Sequence, residues 1–108
     1  MVRKRISKKI DKNIQEYIDV LKKDNLPIDG VFLFGSYAKG KTHPWSDIDL
    51  CILSPKFHDT WDAMQYLWSK RISDSGVTIE PIGFTQKDFA GYQSPLLNEI
   101  KKTGIQIL

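Results

Sequence analysis

The chain has 108 residues, of which 41% are hydrophobic, 27% charged and 11% aromatic. These proportions are those of an ordinary globular domain, and they exclude a disordered, collagen-like or low-complexity chain. The longest apolar runs, such as the one from Val31 to Phe34, fall far short of the roughly 20 residues that cross a bilayer. The single cysteine, Cys51, excludes an internal disulfide and a cysteine-based zinc site. We therefore expect one domain over residues 1–108, located in the cytoplasm and without a membrane partner.

Positive charge is concentrated at the start of the chain. The formal net charge is +3, and residues 1–23 hold eight lysines or arginines against three acids. A basic segment can attract nucleic acid or an acidic protein surface, or it can be the solvated face of a helix. Proteins that bind single strands interleave aromatic side chains with the basic ones, and Tyr17 is the only aromatic residue here. RNA is therefore an open but less favoured partner.

The hydrophobic spacing predicts a basic helix over about residues 7–24, followed by a core over about residues 28–108. Ser7 can cap this helix, and one of its faces carries Ile10, Ile14, Tyr17, Ile18 and Leu21. In the core, short apolar runs predict strands near residues 31–34, 47–53, 77–84 and 105–108. Helices are predicted near residues 59–72, 87–92 and 95–103. The alternation indicates an α/β fold, a small mixed sheet with flanking helices.

Two expectations concern which side chains fill the core. Helical spacing places the apolar residues of the segment 59–72 on one inward face: Trp61, Met64, Leu67, Trp68 and Ile72. Cys51 lies within a predicted strand, and we expect it to be a small core residue rather than a reactive thiol.

The first chemically informative segment is Gly-Ser-Tyr-Ala-Lys-Gly at residues 35–40, directly after a predicted buried strand. Glycine lets a backbone approach a ligand closely. If a helix starts at Ser36, its free N–H groups and the serine hydroxyl make an anion site that suits a triphosphate. Lys39 is a candidate nucleotide contact beside them. The segment matches neither the P-loop nor the dinucleotide-binding glycine pattern. Taken alone, a Gly-Ser pair after a strand is more often a plain turn.

The second segment holds Asp47 and Asp49 at the start of the next strand. At this spacing both side chains leave the same face, about 6–7 Å apart. Neighbouring carboxylates repel each other and raise one pKa unless cations neutralise them. Oxygen ligands favour Mg²⁺ or Mn²⁺, and two such ions would clamp the attacking and leaving oxygens of a displacement. The alternative is an exposed strand edge.

The third feature is Glu80, an acid inside an apolar strand. A carboxylate there is costly unless it is paired or bound to metal. Alternation along the strand puts Glu80 on the same face as Thr78, where it could line the cleft of the two aspartates. It would then ligate the second ion and accept the proton of an attacking hydroxyl. Alternatively, it is the last exposed residue of an edge strand before Pro81.

These residues resemble a known family. Gly-Ser-x-x-x-Gly at residues 35–40, followed by Ser-Asp-Ile-Asp-Leu at residues 46–50, is similar to the signature of the DNA-polymerase-beta-like nucleotidyltransferase superfamily. The short form of the chain and the segment at residues 97–105 resemble its minimal nucleotidyltransferases. The resemblance covers about residues 28–108. It implies that Gly35 and Ser36 hold a triphosphate, and that Mg²⁺ is held by Asp47, Asp49 and Glu80. The family often has aspartate at the third acidic position.

The same resemblance implies a biological role. Family members this small commonly act as antitoxins beside a helical HEPN-domain ribonuclease toxin, and they transfer AMP from ATP to a tyrosine of that toxin. It therefore implies ATP as substrate and an assembly with the toxin. The core leaves no residues for an acceptor-binding domain, which agrees with an acceptor on another molecule. Two alternatives stay open: an antitoxin that acts by occlusion without catalysis, and a transferase that acts on RNA.

Overall fold

The computed structural model describes residues 6–42, 47–71, 78–91 and 93–108. Five helices and four strands lie within these ranges: α1 (Lys8–Lys23), β1 (Gly30–Phe34), α2 (Ser36–Lys39), β2 (Ile48–Leu53), α3 (Thr60–Ser69), β3 (Ile79–Phe84), α4 (Gln86–Gly91), α5 (Pro95–Thr103) and β4 (Ile105–Gln106). The α/β class is confirmed. The expectations for Ser46, for Ile72 and for a third strand starting at residue 77 lie outside the described residues. No helix in these ranges is both long and apolar enough to span a bilayer.

The four strands form one mixed sheet in the order β3-β2-β1-β4. Strand β1 is antiparallel to β2 and to β4, whereas β2 and β3 are parallel and are connected through α3. In this register Asp49 lies opposite Phe34 on one side and opposite Glu80 on the other. The chain therefore brings the end of β1 and the starts of β2 and β3 to one edge of the sheet.

Alternate side chains of the strands fill two separate layers. On one face Leu33 and Leu50 pack with the apolar faces of α1 and α3. On the other face Phe34 and Cys51 pack with Leu97 of α5. Cys51 is fully buried, as expected, and burial raises the pKa of its thiol to about 12. Helices thus cover both faces of the sheet, and Asp49 and Glu80 lie at one end of it, where β2 and β3 begin.

The start of the first helix follows its predicted signals. The Ser7 side chain accepts a hydrogen bond from the Ile10 amide at 3.2 Å, which caps α1 as a serine at this position should. Further along, the buried Tyr17 hydroxyl donates to the Leu67 carbonyl at 2.6 Å. This bond satisfies a polar group that would otherwise be costly to bury, and it fixes α1 against α3.

The expected core face of α3 is wrong for its two tryptophans. Trp61 is 66% exposed and Trp68 is 37% exposed, whereas Ala63 and Leu67 are the buried residues of this helix. The reason is the close approach of α3 to the glycine at position 83 of β3, since only small or slender side chains fit between them. Trp68 instead lies along the outer edge of β3, where its indole N–H donates to the Pro81 carbonyl at 3.0 Å.

Substitution of Gly83 tests this close packing. A Cβ there would lie 2.6 Å from the Phe57 ring, 2.8 Å from the Ala63 methyl and 2.9 Å from Leu67. We expect Gly83→Ala to lower the free energy of unfolding by about 1–3 kcal/mol, the usual cost of overpacking a core. Urea denaturation measures this, with Gly91→Ala as control because a Cβ at Gly91 meets nothing within 4 Å. Equal stability of both variants would contradict the packing described here.

Candidate active site

A tight glycine turn follows β1, and we use the term glycine turn for residues 35–40. Gly35 has φ 75° and ψ −149°, a conformation that favours glycine. The short helix α2 begins at Ser36 and is closed by Gly40 with φ 71°. The Lys39 amide donates to the Gly35 carbonyl at 3.1 Å. The predicted helix start at Ser36 is therefore present, and the strand-to-helix reversal depends on the glycine.

The glycine turn packs directly against Asp49. A Cβ added at Gly35 would overlap Oδ2 of Asp49, so the backbone passes the carboxylate at a distance that only glycine allows. Asp49 is the second residue of β2, and Asp47 immediately precedes that strand. Glu80 is the second residue of β3 and pairs with Asp49 in the parallel ladder. The structure thus places all three predicted acids beside the predicted phosphate turn.

The pKa values of Asp49 and Glu80 are both raised by their surroundings. Burial raises the pKa of Asp49 above its ordinary value, and the negative charges of Asp47 and Glu99 raise it further. Burial also raises the pKa of Glu80, and so does its hydrogen bonding with Asp47 and Asp49. In the opposite direction, the hydrogen bond with Glu80 lowers the pKa of Asp49. One proton shared among these carboxyl groups therefore relieves part of their repulsion.

The donor set of this site fits a divalent cation by its chemistry. The negative charges of neighbouring carboxylates help to raise the pKa of Asp49 and of Glu80, and a cation relieves this repulsion as well as a proton does. Hard oxygen ligands suit Mg²⁺ or Mn²⁺. However, within the described ranges no three His, Cys, Asp or Glu side chains form a ready-made metal cage. A ligand that carries phosphate oxygens would supply the missing ligands.

The sequence expectation missed one acid at this site. Glu99 lies in α5, and its Oε2 is 3.3 Å from the ammonium nitrogen of Lys39. Lys39, expected to contact nucleotide, is therefore paired with a carboxylate in this structure. The signal for Glu99 was present, because it belongs to the family-like segment 97–105. Its place beside Lys39 depends on how α5 packs on the sheet, which no local pattern shows.

Other titratable side chains lie away from the acids. His58 is exposed, and it precedes α3 at the far end of β2. A cavity of about 350 Å³ also lies beyond this end of β2, with Asp24, Phe57 and Tyr66 among the residues that line it. None of the predicted site residues lines this cavity. The titratable residues at the far end of β2 are thus separate from the site at its start.

The comparisons with known proteins agree with this geometry. The family model of the nucleotidyltransferase domain matches residues 14–102 of the chain. The chain belongs to this family. The match begins within α1 and includes the glycine turn and all four acids, so the fold class and the resemblance to the polymerase-beta-like nucleotidyltransferases are confirmed. No curated protein sequence matches this nucleotidyltransferase.

Solved structures share the fold of this nucleotidyltransferase. A toxin–antitoxin solved with AMP-PNP is 25% identical, with a TM-score of 0.59 over 91% of this chain and 72% of that one. The MntA–HepT toxin–antitoxin is 22% identical, with a TM-score of 0.53 over 90% and 70%. A candidate nucleotidyltransferase of Sulfolobus solfataricus is 21% identical, with a TM-score of 0.61 over 89% and 77%.

Two glycines of the glycine turn provide a matched test of the site. Gly35→Ala introduces backbone strain and pushes Asp49 aside, whereas Gly40→Ala introduces similar strain at φ 71° with nothing within 4 Å. We expect Gly35→Ala to lose the stabilisation by Mg-ATP and Gly40→Ala to retain it. Thermal melts with and without Mg-ATP measure both. Retention by Gly35→Ala would show that the contact with Asp49 is dispensable for binding.

Proposed function

We propose that this nucleotidyltransferase transfers AMP from ATP to a hydroxyl group of a partner protein and acts in this way as an antitoxin. The observation that carries the proposal is the trio of adjoining acids, Asp47, Asp49 and Glu80, against the glycine turn. Paired carboxylates beside a turn that admits phosphate are what a nucleotidyl transfer requires, because its catalysis consists mostly of positioning and charge neutralisation.

In this reaction the glycine turn would bind the nucleotide, and the three acids would hold the metal and accept the proton. Gly35 and Ser36 hold the triphosphate through backbone N–H groups and the serine hydroxyl. Asp47, Asp49 and Glu80 would hold Mg²⁺, which when bound supplies positive charge against the phosphates. Glu80, whose pKa is raised, accepts the proton of the attacking hydroxyl. The hydroxyl oxygen bonds to the α-phosphorus while the bond to the bridging oxygen breaks, and pyrophosphate leaves.

The choice of acceptor draws support from the solved relatives. Two of them are toxin–antitoxin complexes, one of which was solved with AMP-PNP. By the family resemblance, the acceptor is a tyrosine of a small helical HEPN toxin. Transfer of AMP would add a bulky, negatively charged group to that tyrosine, which is sufficient to block a ribonuclease site by charge repulsion and steric exclusion.

The experiment that tests the proposal uses ATP labelled at the α-phosphate. The chain is purified together with a candidate partner, a small helical protein of the HEPN type, then incubated with Mg²⁺ and either α- or γ-labelled ATP. We expect label on the partner from α-labelled ATP alone, with pyrophosphate released. Label from γ-labelled ATP would indicate a kinase instead. Inhibition of the partner without any label would favour the occlusion mechanism, and label on RNA would favour the RNA-directed transferase.

A further inference from the structure

One ion pair joins the glycine turn to the last helix of the chain. The ammonium nitrogen of Lys39, at the end of α2, lies 3.3 Å from Oε2 of Glu99 in α5. The two side chains are 40% and 37% exposed. A half-exposed pair of this kind contributes little net free energy, so it can direct a side chain and still exchange its partner readily.

The ion pair with Glu99 affects how much positive charge Lys39 can offer to an anionic ligand. Lys39 is the only cationic side chain within the glycine turn. The surrounding carboxylates repel a nucleotide, and Glu99 adds to that field, because its charge reaches Asp49. While Lys39 is paired with Glu99, its positive charge is offset at the place where an anionic ligand must enter.

A triphosphate would compete directly with Glu99. The β- and γ-phosphates carry more negative charge and more acceptor oxygens than one carboxylate, and charge-assisted hydrogen bonds to them are strong. The lysine stem is long and flexible, so Lys39 can turn from α5 toward the triphosphate without a shift of the backbone. Glu99 cannot follow it, because α5 is anchored by the buried Leu97 and Ile100.

We propose that Glu99 is a positioning residue that holds Lys39 away from the empty triphosphate site and yields it to the β- and γ-phosphates when nucleotide binds. This inference rests on the proposed function, since it takes the glycine turn as the triphosphate site. The exchange makes Glu99 a built-in competitor that lowers the affinity for ATP. Its removal should therefore tighten binding, whereas removal of a merely structural tether would loosen it.

A double-mutant cycle measured by calorimetric titration of Mg-ATP tests the exchange. Glu99→Gln is expected to lower the Kd for Mg-ATP by about two- to fivefold, the range of a half-exposed ion pair. Lys39→Met is expected to raise it. In the Lys39→Met background, Glu99→Gln should have less than half of that effect, because only direct repulsion between Glu99 and the nucleotide remains. Glu16→Gln removes the same charge from the exposed face of α1 and should change nothing.

Each other result contradicts the exchange. Weaker binding by Glu99→Gln would make the pair a structural tether of α2. An equal tightening with and without Lys39 would leave Glu99 as a source of repulsion only. Unchanged affinity would show that the pair plays no part in binding. If the wild type itself does not bind Mg-ATP, the proposed function fails and this inference fails with it. If it does bind, the titrations decide the exchange alone, and the labelling experiment decides the transfer of AMP.

Discussion

Asp49→Asn is expected to abolish AMP transfer while the protein remains folded. Asp49 lies at the centre of the site. It is paired with Glu80 in the sheet, it contacts the Gly35 backbone, and the charge of Asp47 acts on it. Asparagine keeps the shape of the side chain and removes its charge. Loss of one charge-stabilising group in an active site lowers turnover by about 100-fold or more, and we expect at least that reduction in labelling of the partner from α-labelled ATP.

The control for this prediction is Asp19→Asn. Asp19 is exposed on α1 and lies outside the acidic site, so the same chemical change there should leave labelling at the wild-type level. Circular dichroism and a thermal melt establish that Asp49→Asn is folded. Undiminished labelling by folded Asp49→Asn would overturn the role of the acids in transfer.

The second large effect is on stability and concerns Asp47→Asn/Asp49→Asn. Removal of two of the interacting carboxylates relieves repulsion, so the melting temperature of the metal-free protein should rise. In the wild type, Mg-ATP at a hundredfold excess over its Kd adds about 2.7 kcal/mol, which corresponds to at least about 10 °C for a chain of this size. The double variant should lose this shift. If the metal-free wild type has a melting temperature equal to or above that of the metal-free double variant, the repulsion among these acids is contradicted.

The difference in stability between the wild type and the double variant Asp47→Asn/Asp49→Asn should also depend on pH. The pKa values of Asp49 and Glu80 are raised in the folded chain above their ordinary values of 3.8 and 4.5. Between the ordinary and the raised pKa of each group, the folded state therefore binds more protons than the unfolded state. The contribution of these two carboxyl groups to the free energy of unfolding of the metal-free wild type therefore falls as the pH rises above about 4. The double variant should lose less over the same interval. Melts at pH 4.5 and pH 7.5 without Mg²⁺ measure this, and parallel losses in both proteins would contradict it.

Most of the site could be predicted because its parts are local. The glycine turn follows from Gly35 and Gly40 after an apolar run, and the shared face of Asp47 and Asp49 follows from the alternation of a strand. The placement of Glu80 beside them required more, since the parallel register of β2 and β3 depends on the crossover through α3. Alternation predicted the correct face for Glu80, and the observed pairing with Asp49 confirms that placement.

The parts that sequence could not show depend on packing at a distance. The pairing of Lys39 with Glu99 joins residues separated by most of the chain, and nothing in either local segment specifies it. The outward position of Trp61 and Trp68 depends on how closely α3 approaches Gly83. Helical spacing identifies which residues share a face, and the large apolar ones were assigned to the core. In the structure, the face of α3 that carries Ala63 and Leu67 packs against β3 at Gly83, and the tryptophans lie outside it.

The side chains that lie along β3 also determine how this sheet can meet another molecule. Strand β3 is at the border of the sheet, where unpaired backbone groups usually invite a further strand. Here the Trp68 indole donates to the Pro81 carbonyl at 3.0 Å, an Arg71 guanidinium nitrogen donates to the Ile79 carbonyl at 3.4 Å, and Pro81 has no N–H to offer. Extension of the sheet across this border, whether by a partner or in an aggregate, would have to displace both side chains. The β3 border of the sheet is therefore closed to a further strand by side chains of its own chain.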